Sequence, residues 1–234
     1  MMNFSKKEYI KILKNLKKNK FVFTNFSKFD NFKKVFLRHD IDFSLEYALE
    51  IAEVNFNNKV SATFFFMLSN NFYNLSSKNS KKIVKLIKKL KQNISLHFDP
   101  EIYKNFKTGL KQEVAIFENL FKTKVRIISI HRPRKFLNKK IKFKNIKHTY
   151  EDFYFKNVKY ISDSNGNFFY DDPRDENILT NELSIQLLIH PIWWCLKGNS
   201  PSEKLTDFLK KKTDFLNNEL VKNVKTYKNK DYIK

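Results

Sequence analysis

Two patterns of hydrophobic and polar positions alternate along this chain. Apolar residues at helical spacing predict helices over residues 6–18, 45–56, 81–91, 109–121 and 201–220. Runs rich in Ile, Val, Leu and Phe predict buried strands over residues 34–42, 60–68, 94–99, 125–131, 158–162 and 183–190, with a short strand near 148–150. This succession predicts a single α/β domain with a parallel sheet, closed into a barrel by right-handed crossovers. An open doubly wound parallel sheet is the alternative.

Four of the five histidines stand at the ends of these hydrophobic runs. They are His39, His97, His131 and His190. Because the carboxyl ends of parallel strands meet at one end of the sheet, we expect polar side chains there to converge. The fifth histidine, His148, lies among lysines and is expected at the surface.

The first of the long strands carries two aspartates on one face. Side chains alternate along a strand, so Asp40 and Asp42 point the same way, while His39 points away and is expected to be structural. Two neighbouring carboxylates repel each other unless a cation or a proton lies between them. One aspartate and two histidines are typical of a metal site that leaves a position open for water. Because a bound ion lowers the pKa of that water, the set indicates metal-assisted hydrolysis of an amide or ester.

The formal net charge of +22 raises the alternative of nucleic-acid binding. The lysines are spread through every segment and accompany no nucleic-acid-binding motif, so we predict no specific nucleic-acid partner. Residues 1–20 lack the apolar core of a signal peptide, and no stretch approaches a transmembrane span. The single cysteine fits a reducing compartment, and the prediction is a cytoplasmic protein. Its oligomeric state is left open.

Short motifs follow one another in order. They are Arg38-His39-Asp40-Ile41-Asp42, Phe72-Tyr73-Asn74, Ser95-Leu96-His97-Phe98-Asp99, Ser129-Ile130-His131-Arg132-Pro133, Tyr160-Ile161-Ser162-Asp163-Ser164 and Leu188-Ile189-His190-Pro191. This set, over about residues 35–194, resembles the polysaccharide deacetylase (NodB-like, carbohydrate esterase) superfamily, and within it a divergent WbmS-like branch of bacterial surface-polysaccharide loci. The resemblance implies an incomplete (β/α)7 barrel that removes acetyl groups from N-acetylated sugars with a divalent metal, most often zinc.

The resemblance also implies a role for each matching residue. Asp40 would be the general base, Asp42 a metal ligand and His97 the first histidine ligand. Arg132 would orient the base aspartate, and His190 would be the general acid.

The chain departs from the family pattern in two places. Ile41 separates the two aspartates that are adjacent in the family, which leaves open which of them binds the metal. The family's second histidine ligand falls four residues after the first, where this chain has Glu101. His131 is our candidate for the third ligand, ahead of Asp99 and then Glu101.

Further side chains are predicted to line the site. Those expected to contact the sugar are Tyr73, Asp99, Trp193 and Trp194. The two tryptophans could form a stacking platform for a sugar ring, and they fit equally well as core residues or a barrel cap. Asp163 is expected to hydrogen-bond to His190 and raise its basicity, and Arg38, on the same face as Asp40, is an alternative to Arg132 as its partner.

The sequence therefore predicts a metal-dependent deacetylase-like hydrolase acting on an N-acetylated sugar or glycan precursor in surface-polysaccharide biosynthesis. Residues 1–33 are expected to form an amphipathic helix and lead-in, residues 34–222 the barrel, and residues 223–234 a basic tail. Two alternatives stay open, since a fold does not determine a substrate. One is an amide hydrolase acting on a non-sugar substrate, and the other is a catalytically silent carbohydrate-binding member of the fold.

Overall fold

The computed structural model describes residues 4–26, 32–137, 143, 145–168, 171–181 and 183–228, in which strands alternate with helices. The strands are β1 (Val22–Thr24), β2 (Lys34–Ile41), β3 (Thr63–Phe66), β4 (Asn93–Phe98), β5 (Ile127–Ile130), β6 (Lys147–His148), β7 (Lys159–Ser162) and β8 (Ile185–Ile189). The helices are α1 (Lys6–Lys18), α2 (Leu45–Asn57), α3 (Lys78–Lys89), α4 (Phe106–Phe121), α5 (Arg134–Leu137), α6 (Asp152–Phe155), α7 (Glu176–Thr180), α8 (Pro191–Cys195) and α9 (Pro201–Asn223).

The strands form one parallel sheet in the order β6-β5-β4-β3-β2-β8-β7. The sheet curls into an incomplete (β/α)7 barrel, which confirms the fold predicted from the sequence. β6 and β7 stand at the two ends of this order, and no strand in the described ranges joins them. A doubly wound sheet would carry helices on both faces, whereas here side chains fill the concave face.

The predicted lead-in contributes a strand of its own. β1 pairs in parallel with the first half of β2, with Val22 opposite Lys34 and Thr24 opposite Phe36. β3 begins its pairing with β2 only at Arg38. Since β8 covers the other side of β2 from Val35 onward, β1 and β3 share one side of that strand.

Alternation along β2 separates two cores. Val35, Leu37 and Ile41 belong to the large cluster between the sheet and the surrounding helices. Phe36 faces the opposite way, into a small aromatic cluster that closes the inside of the barrel near the amino ends of the strands. Arg38 and Asp40 continue on this inner face toward the carboxyl ends, where the predicted site lies.

Local residues explain where the predicted helices begin. Serine or asparagine side chains accept a backbone hydrogen bond at the first turns of α1, α2, α3, α4 and α9. α3 begins at Lys78, three residues before the predicted start, because the Ser77 hydroxyl accepts a hydrogen bond from Ser80 N at 3.1 Å. No helix in the described ranges has the length and apolar content needed to cross a bilayer.

His148 corrects one expectation from the sequence. The expected surface histidine is 6% exposed, because β6 places it beside β5 under two aromatic rings. Phe136 and Phe143 pack edge-on against its imidazole, with ring centroids 5.8 and 6.2 Å away. Neighbouring lysines in the sequence therefore do not indicate exposure here.

Candidate metal centre

Three of the predicted residues meet at the carboxyl ends of β2, β4 and β5. Asp42 follows the last residue of β2, His97 lies near the end of β4, and His131 follows β5. Their potential ligand atoms all lie within 4.8 Å of one another. Neither Asp99 nor Glu101 belongs to this group within the described residues. The geometry thus brings together the aspartate and the two histidines that ranked first for metal binding.

The distances within this triad suit a small divalent ion. Asp42 Oδ1 lies 3.2 Å from His97 Nε2 and 3.9 Å from His131 Nδ1, and the two histidine nitrogens are 3.3 Å apart. Ligands bound to zinc at about 2.0–2.2 Å in a tetrahedron are roughly 3.3–3.6 Å apart. In addition, Asp42 Oδ1 is buried and receives no well-aligned hydrogen bond from any described donor. A buried carboxylate oxygen in this position fits a cation as its missing partner.

The charges around the triad also favour a cation. Burial alone would lower the pKa of His97, but the carboxylates of Asp40 and Asp42 outweigh burial and raise it. Burial and the neighbouring His97 lower the pKa of His131, so that imidazole is neutral and free to coordinate near neutral pH. The pocket stabilises positive charge and at the same time offers a neutral nitrogen.

Ser129 orients His97 from behind. Its hydroxyl lies 2.8 Å from His97 Nδ1, which leaves Nε2 to face Asp42 and His131. The same hydroxyl donates to Asp40 Oδ2 at 2.9 Å and accepts from Arg38 Nη2 at 2.6 Å. Partners of this kind determine the ring orientation and tautomer of metal-ligating histidines. Its place two residues before His131, on the same face of β5, was the only sequence signal for this role.

Asp40 is paired with Arg38, the alternative partner raised from the sequence. Arg38 Nε and Nη2 donate to the two oxygens of Asp40 at 2.8 and 2.6 Å, a bidentate pair in which both residues are buried. Burial alone would raise the pKa of Asp40, but the Arg38 charge outweighs it and holds the pKa well below its usual value. Arg132 is instead exposed, in a left-handed backbone conformation with φ 48°. The structure therefore places Arg38 in the orienting position that the resemblance gave to Arg132.

The rest of the Arg38 environment was not foreseen. Its guanidinium donates to Gln186 Oε1 at 3.4 Å and to the Tyr150 hydroxyl at 3.1 Å, and it lies 4.7 Å from the centre of the Tyr150 ring. Gln186 is the one polar residue of β8. A lone polar residue in a buried strand indicates a buried hydrogen-bond partner, and this pattern could have identified Gln186 from the sequence. Tyr150 follows the short strand β6 and offered no signal in the sequence.

His190 forms the other wall of the site. Its Nδ1 lies 2.6 Å from Asp163 Oδ1, as expected from the sequence, and its Nε2 lies 3.8 Å from Asp42 Oδ2. Burial alone would lower the pKa of His190, but the Asp163 carboxylate outweighs burial and raises it to about 9. Trp194 Nε1 donates to the second oxygen of Asp163 at 2.7 Å and fixes that carboxylate. His190 is therefore a protonated imidazolium near neutral pH, with Nε2 directed at the triad.

Tyr73 and Asp99 hold the rim of the site together. The Tyr73 hydroxyl donates to Ile41 O at 2.6 Å and accepts from Met67 N at 3.0 Å, which joins the ends of β2 and β3. Asp99 caps the 3-10 turn after β4 by accepting from Glu101 N at 2.9 Å. Both polar groups are engaged with the protein, so their substrate contacts remain predictions.

The two tryptophans take the alternative role of core residues. Trp193 and Trp194 are 5% and 2% exposed. Phe4 packs edge-on against Trp194 with ring centroids 4.7 Å apart, and Tyr9 lies at 5.5 Å. The ring centroid of Trp193 lies 6.5 Å from that of Phe43, and both indoles belong to the core cluster around the sheet. Both indoles are thus buried, Trp194 also donates to Asp163, and their contact with a sugar remains a prediction.

No protein-family model matches this chain, and no curated protein is significantly similar to it. Among solved structures, it is similar to BA3943, a CE4 family pseudoenzyme from Bacillus anthracis (15% identity, 77% of this chain, 60% of that chain, TM-score 0.39). It is also similar to the Streptococcus pyogenes deacetylase PplD (13% identity, 87% of this chain, 86% of that chain, TM-score 0.44). A third similar structure is the chitin deacetylase of Colletotrichum lindemuthianum (15% identity, 76% of this chain, 81% of that chain, TM-score 0.39). This chain spans about 60% of the length of BA3943. At such identities and TM-scores these similarities assign no activity, and none of them bears on the WbmS-like branch.

Proposed function

We propose that this protein is a metal-dependent hydrolase that removes an acetyl group from an N-acetylated sugar or glycan precursor. One observation carries the proposal: the triad of Asp42, His97 and His131 stands between an ionised carboxylate, Asp40, and a protonated imidazole, His190. Hydrolysis of an amide needs an acceptor for a proton of the attacking water and a donor to the leaving amine. The site supplies both within reach of one ion.

The triad would hold the ion through one carboxylate oxygen and two imidazole nitrogens. Zinc is the metal we propose, because this ligand set with one open position is typical of catalytic zinc. When bound, the ion would supply a water of lowered pKa and polarise the acetyl carbonyl.

Asp40 would take up the proton of the attacking water. Its Oδ2 lies 3.6 Å from His97 Nε2, beside the place of the ion, and the paired Arg38 keeps it ionised. The bidentate pair and Ser129 also fix the direction of the carboxylate, which favours one position of the water.

His190 would protonate the leaving nitrogen. The carbonyl carbon gains the oxygen of water as the C–N bond breaks, and the departing amine takes the proton from His190 Nε2. Asp163 keeps that proton on the imidazole before the reaction and fixes the ring through Nδ1. The sugar substrate, the surface-polysaccharide setting and the cytoplasmic location are predictions from the sequence that this chemistry accommodates.

Metal content tests the proposal first. We expect the purified protein, stripped with a chelator and reloaded, to bind one zinc or cobalt per chain, with cobalt giving the visible absorption of a low-coordinate site. Asp42→Asn, His97→Gln and His131→Gln should each lose this stoichiometric binding, since each removes one of three ligands. His39→Gln is the matched control, because it changes a buried histidine on the opposite face of β2.

Acetate release tests the reaction itself. The loaded protein should release acetate from N-acetylhexosamine oligosaccharides or nucleotide-linked N-acetylhexosamine, and His190→Gln should lower kcat about 10²–10⁴-fold while metal stays bound. If the protein binds metal but hydrolyses only non-sugar acetamides, the proposed sugar substrate would be wrong and the alternative of a non-sugar amide would take its place. A chain that binds no metal under any loading condition, yet binds glycans, would be a silent binding module, and the proposal would be wrong.

A further inference from the structure

The first half of the last helix, α9, is anchored to the barrel by buried side chains. Lys204 is 4% exposed, and its ammonium donates to the carbonyl oxygens of Phe4 and Leu196, both at 2.8 Å. One turn later Phe208 packs against Phe43 and Phe72, each with ring centroids 5.7 Å away. These contacts hold the helix beside the rim of the barrel.

The second half of α9 presents apolar side chains to solvent. Leu209, Leu216 and Leu220 are 60%, 53% and 46% exposed, and Val224 at the helix end is 42% exposed. Their spacing of seven, four and four residues puts all of them on one face of a helix. We name this face the α9 stripe. Exposed apolar residues in a continuous row mark an interaction surface more often than isolated ones do.

Lys210 and Lys212 flank the α9 stripe, while Lys211 and Lys222 lie on the opposite face of the helix and pair with Asp207 and Glu219. Residues 209–225 contain five lysines, at 210, 211, 212, 222 and 225, against two acids, Asp214 and Glu219. The whole chain carries a formal charge of +22. A second copy of this chain would bring the same positive charge to the stripe and be repelled. A nucleic acid would pair with the lysines but leave the leucines in water.

We propose that the α9 stripe docks onto the surface of an anionic lipid bilayer. A bilayer interface accepts apolar side chains among the acyl chains while the flanking lysines reach the anionic headgroups. Each lysine near such a surface contributes about 1 kcal/mol of attraction. Of the three partners compared, the bilayer accommodates both the leucines and the lysines.

Docking would place the metal centre close to the headgroups. Lys212 of α9 donates to Phe72 O at 2.6 Å, and Phe72 stacks 4.9 Å from Phe43, the residue that follows Asp42. Lys212, which flanks the stripe, therefore contacts the rim of the barrel near the metal centre. This inference goes beyond the proposed function and does not depend on it, because bilayer binding is measured without any reaction.

Vesicle sedimentation with the full chain tests the inference. We expect binding to phosphatidylcholine vesicles that contain phosphatidylglycerol, and little binding to pure phosphatidylcholine. Leu216→Ser with Leu220→Ser should weaken binding to the anionic vesicles about tenfold or more, because both side chains leave the interface. Both residues are exposed, so the fold should persist, as circular dichroism would check.

The matched control changes two other exposed isoleucines, Ile102→Ser with Ile116→Ser, and should bind like the unaltered chain. Equal binding by the stripe variant and the control would overturn the proposal, as would the absence of binding to anionic vesicles. A concentration-dependent dimer in light scattering that the stripe variant abolishes would assign the stripe to a second copy, which also overturns it.

Discussion

Asp163 decides the charge of His190 at the residue scale. We predict that Asp163→Asn lowers the pKa of His190 from about 9, because burial would then be opposed only by the weaker effects of Asp42 and Asp40. Histidine NMR titration of the metal-free protein measures this shift directly. Asp172→Asn, which changes an aspartate paired with Arg174, is the control and should leave His190 unaffected.

The same pair has a stability consequence of definite sign. Because its pKa is raised in the folded state, protonated His190 contributes stability that is fully present below pH 6.5 and is lost as the pH rises through about 9. Between pH 6.5 and about 9, the free energy of unfolding of Asp163→Asn, measured by chemical denaturation, should therefore fall less than that of the unaltered chain. An equal decline in both proteins would mean that another group is responsible.

The sequence predicted the three residues that meet in the candidate metal centre but not all of their partners. Alternation along β2 placed Asp40 and Asp42 together, and it depends only on strand geometry. The sequence ranked His131 ahead of Asp99, but the pairing of β4 with β5 that brings His131 beside His97 is contained in no local pattern. Tyr150 reaches Arg38 from the turn after β6, across 112 residues of sequence. Such contacts depend on how the barrel closes, so sequence patterns alone do not reveal them.

At the element scale, α4 depends on a glycine. Tyr103 lies so close to Gly109 that an added Cβ would stand 2.3–2.5 Å from three atoms of the ring. The Tyr103 hydroxyl donates to Glu113 Oε1 at 2.6 Å, which fixes the ring over the helix. The close approach joins the turn after β4 to α4.

We predict that Gly109→Ala destabilises the protein by about 1–3 kcal/mol, because the overpacked ring must move. Urea unfolding measures the change. In a Tyr103→Ala background the same substitution should be neutral or stabilising by up to about 1 kcal/mol, because alanine favours a helix and the obstruction is gone. Destabilisation of equal size in both backgrounds would contradict this explanation.

The longer elements were predictable because their hydrophobic patterns extend over several turns. α1 has the predicted bounds, Lys6–Lys18, since its apolar spacing and its Ser5 cap agree. β1 was missed because Val22–Thr24 is only three residues long and exists through its pairing with β2. Short strands of this kind are tertiary structure and carry little local signal.

At the scale of the whole molecule, His39 links three elements. Asn55 Nδ2 of α2 lies 3.1 Å from His39 Nε2 and the Tyr9 hydroxyl of α1 lies at 3.3 Å. An amide nitrogen only donates, so Nε2 accepts and carries no proton. Burial lowers the pKa of His39 to about 3, which keeps the imidazole neutral in the folded protein.

We predict that His39 makes the molecule acid-sensitive. Its pKa is depressed on folding, so the unfolded chain binds the extra proton, and stability falls as the pH drops from 6.5 toward 3, by up to about 1.4 kcal/mol per pH unit. His39→Gln should flatten this slope over pH 4–6 in urea unfolding, even if it is less stable at pH 7. Parallel slopes for both proteins would refute the assignment.

The pairing of β1 bears on how shortened forms of this protein would behave. A chain trimmed to begin at residue 34 would lose the three residues that cover Lys34–Phe36, along with the buried face of α1. The freed backbone amides and carbonyls would then be available to strands of other molecules, a common origin of aggregation. Expression trials should therefore treat α1 and β1 as inseparable from the barrel.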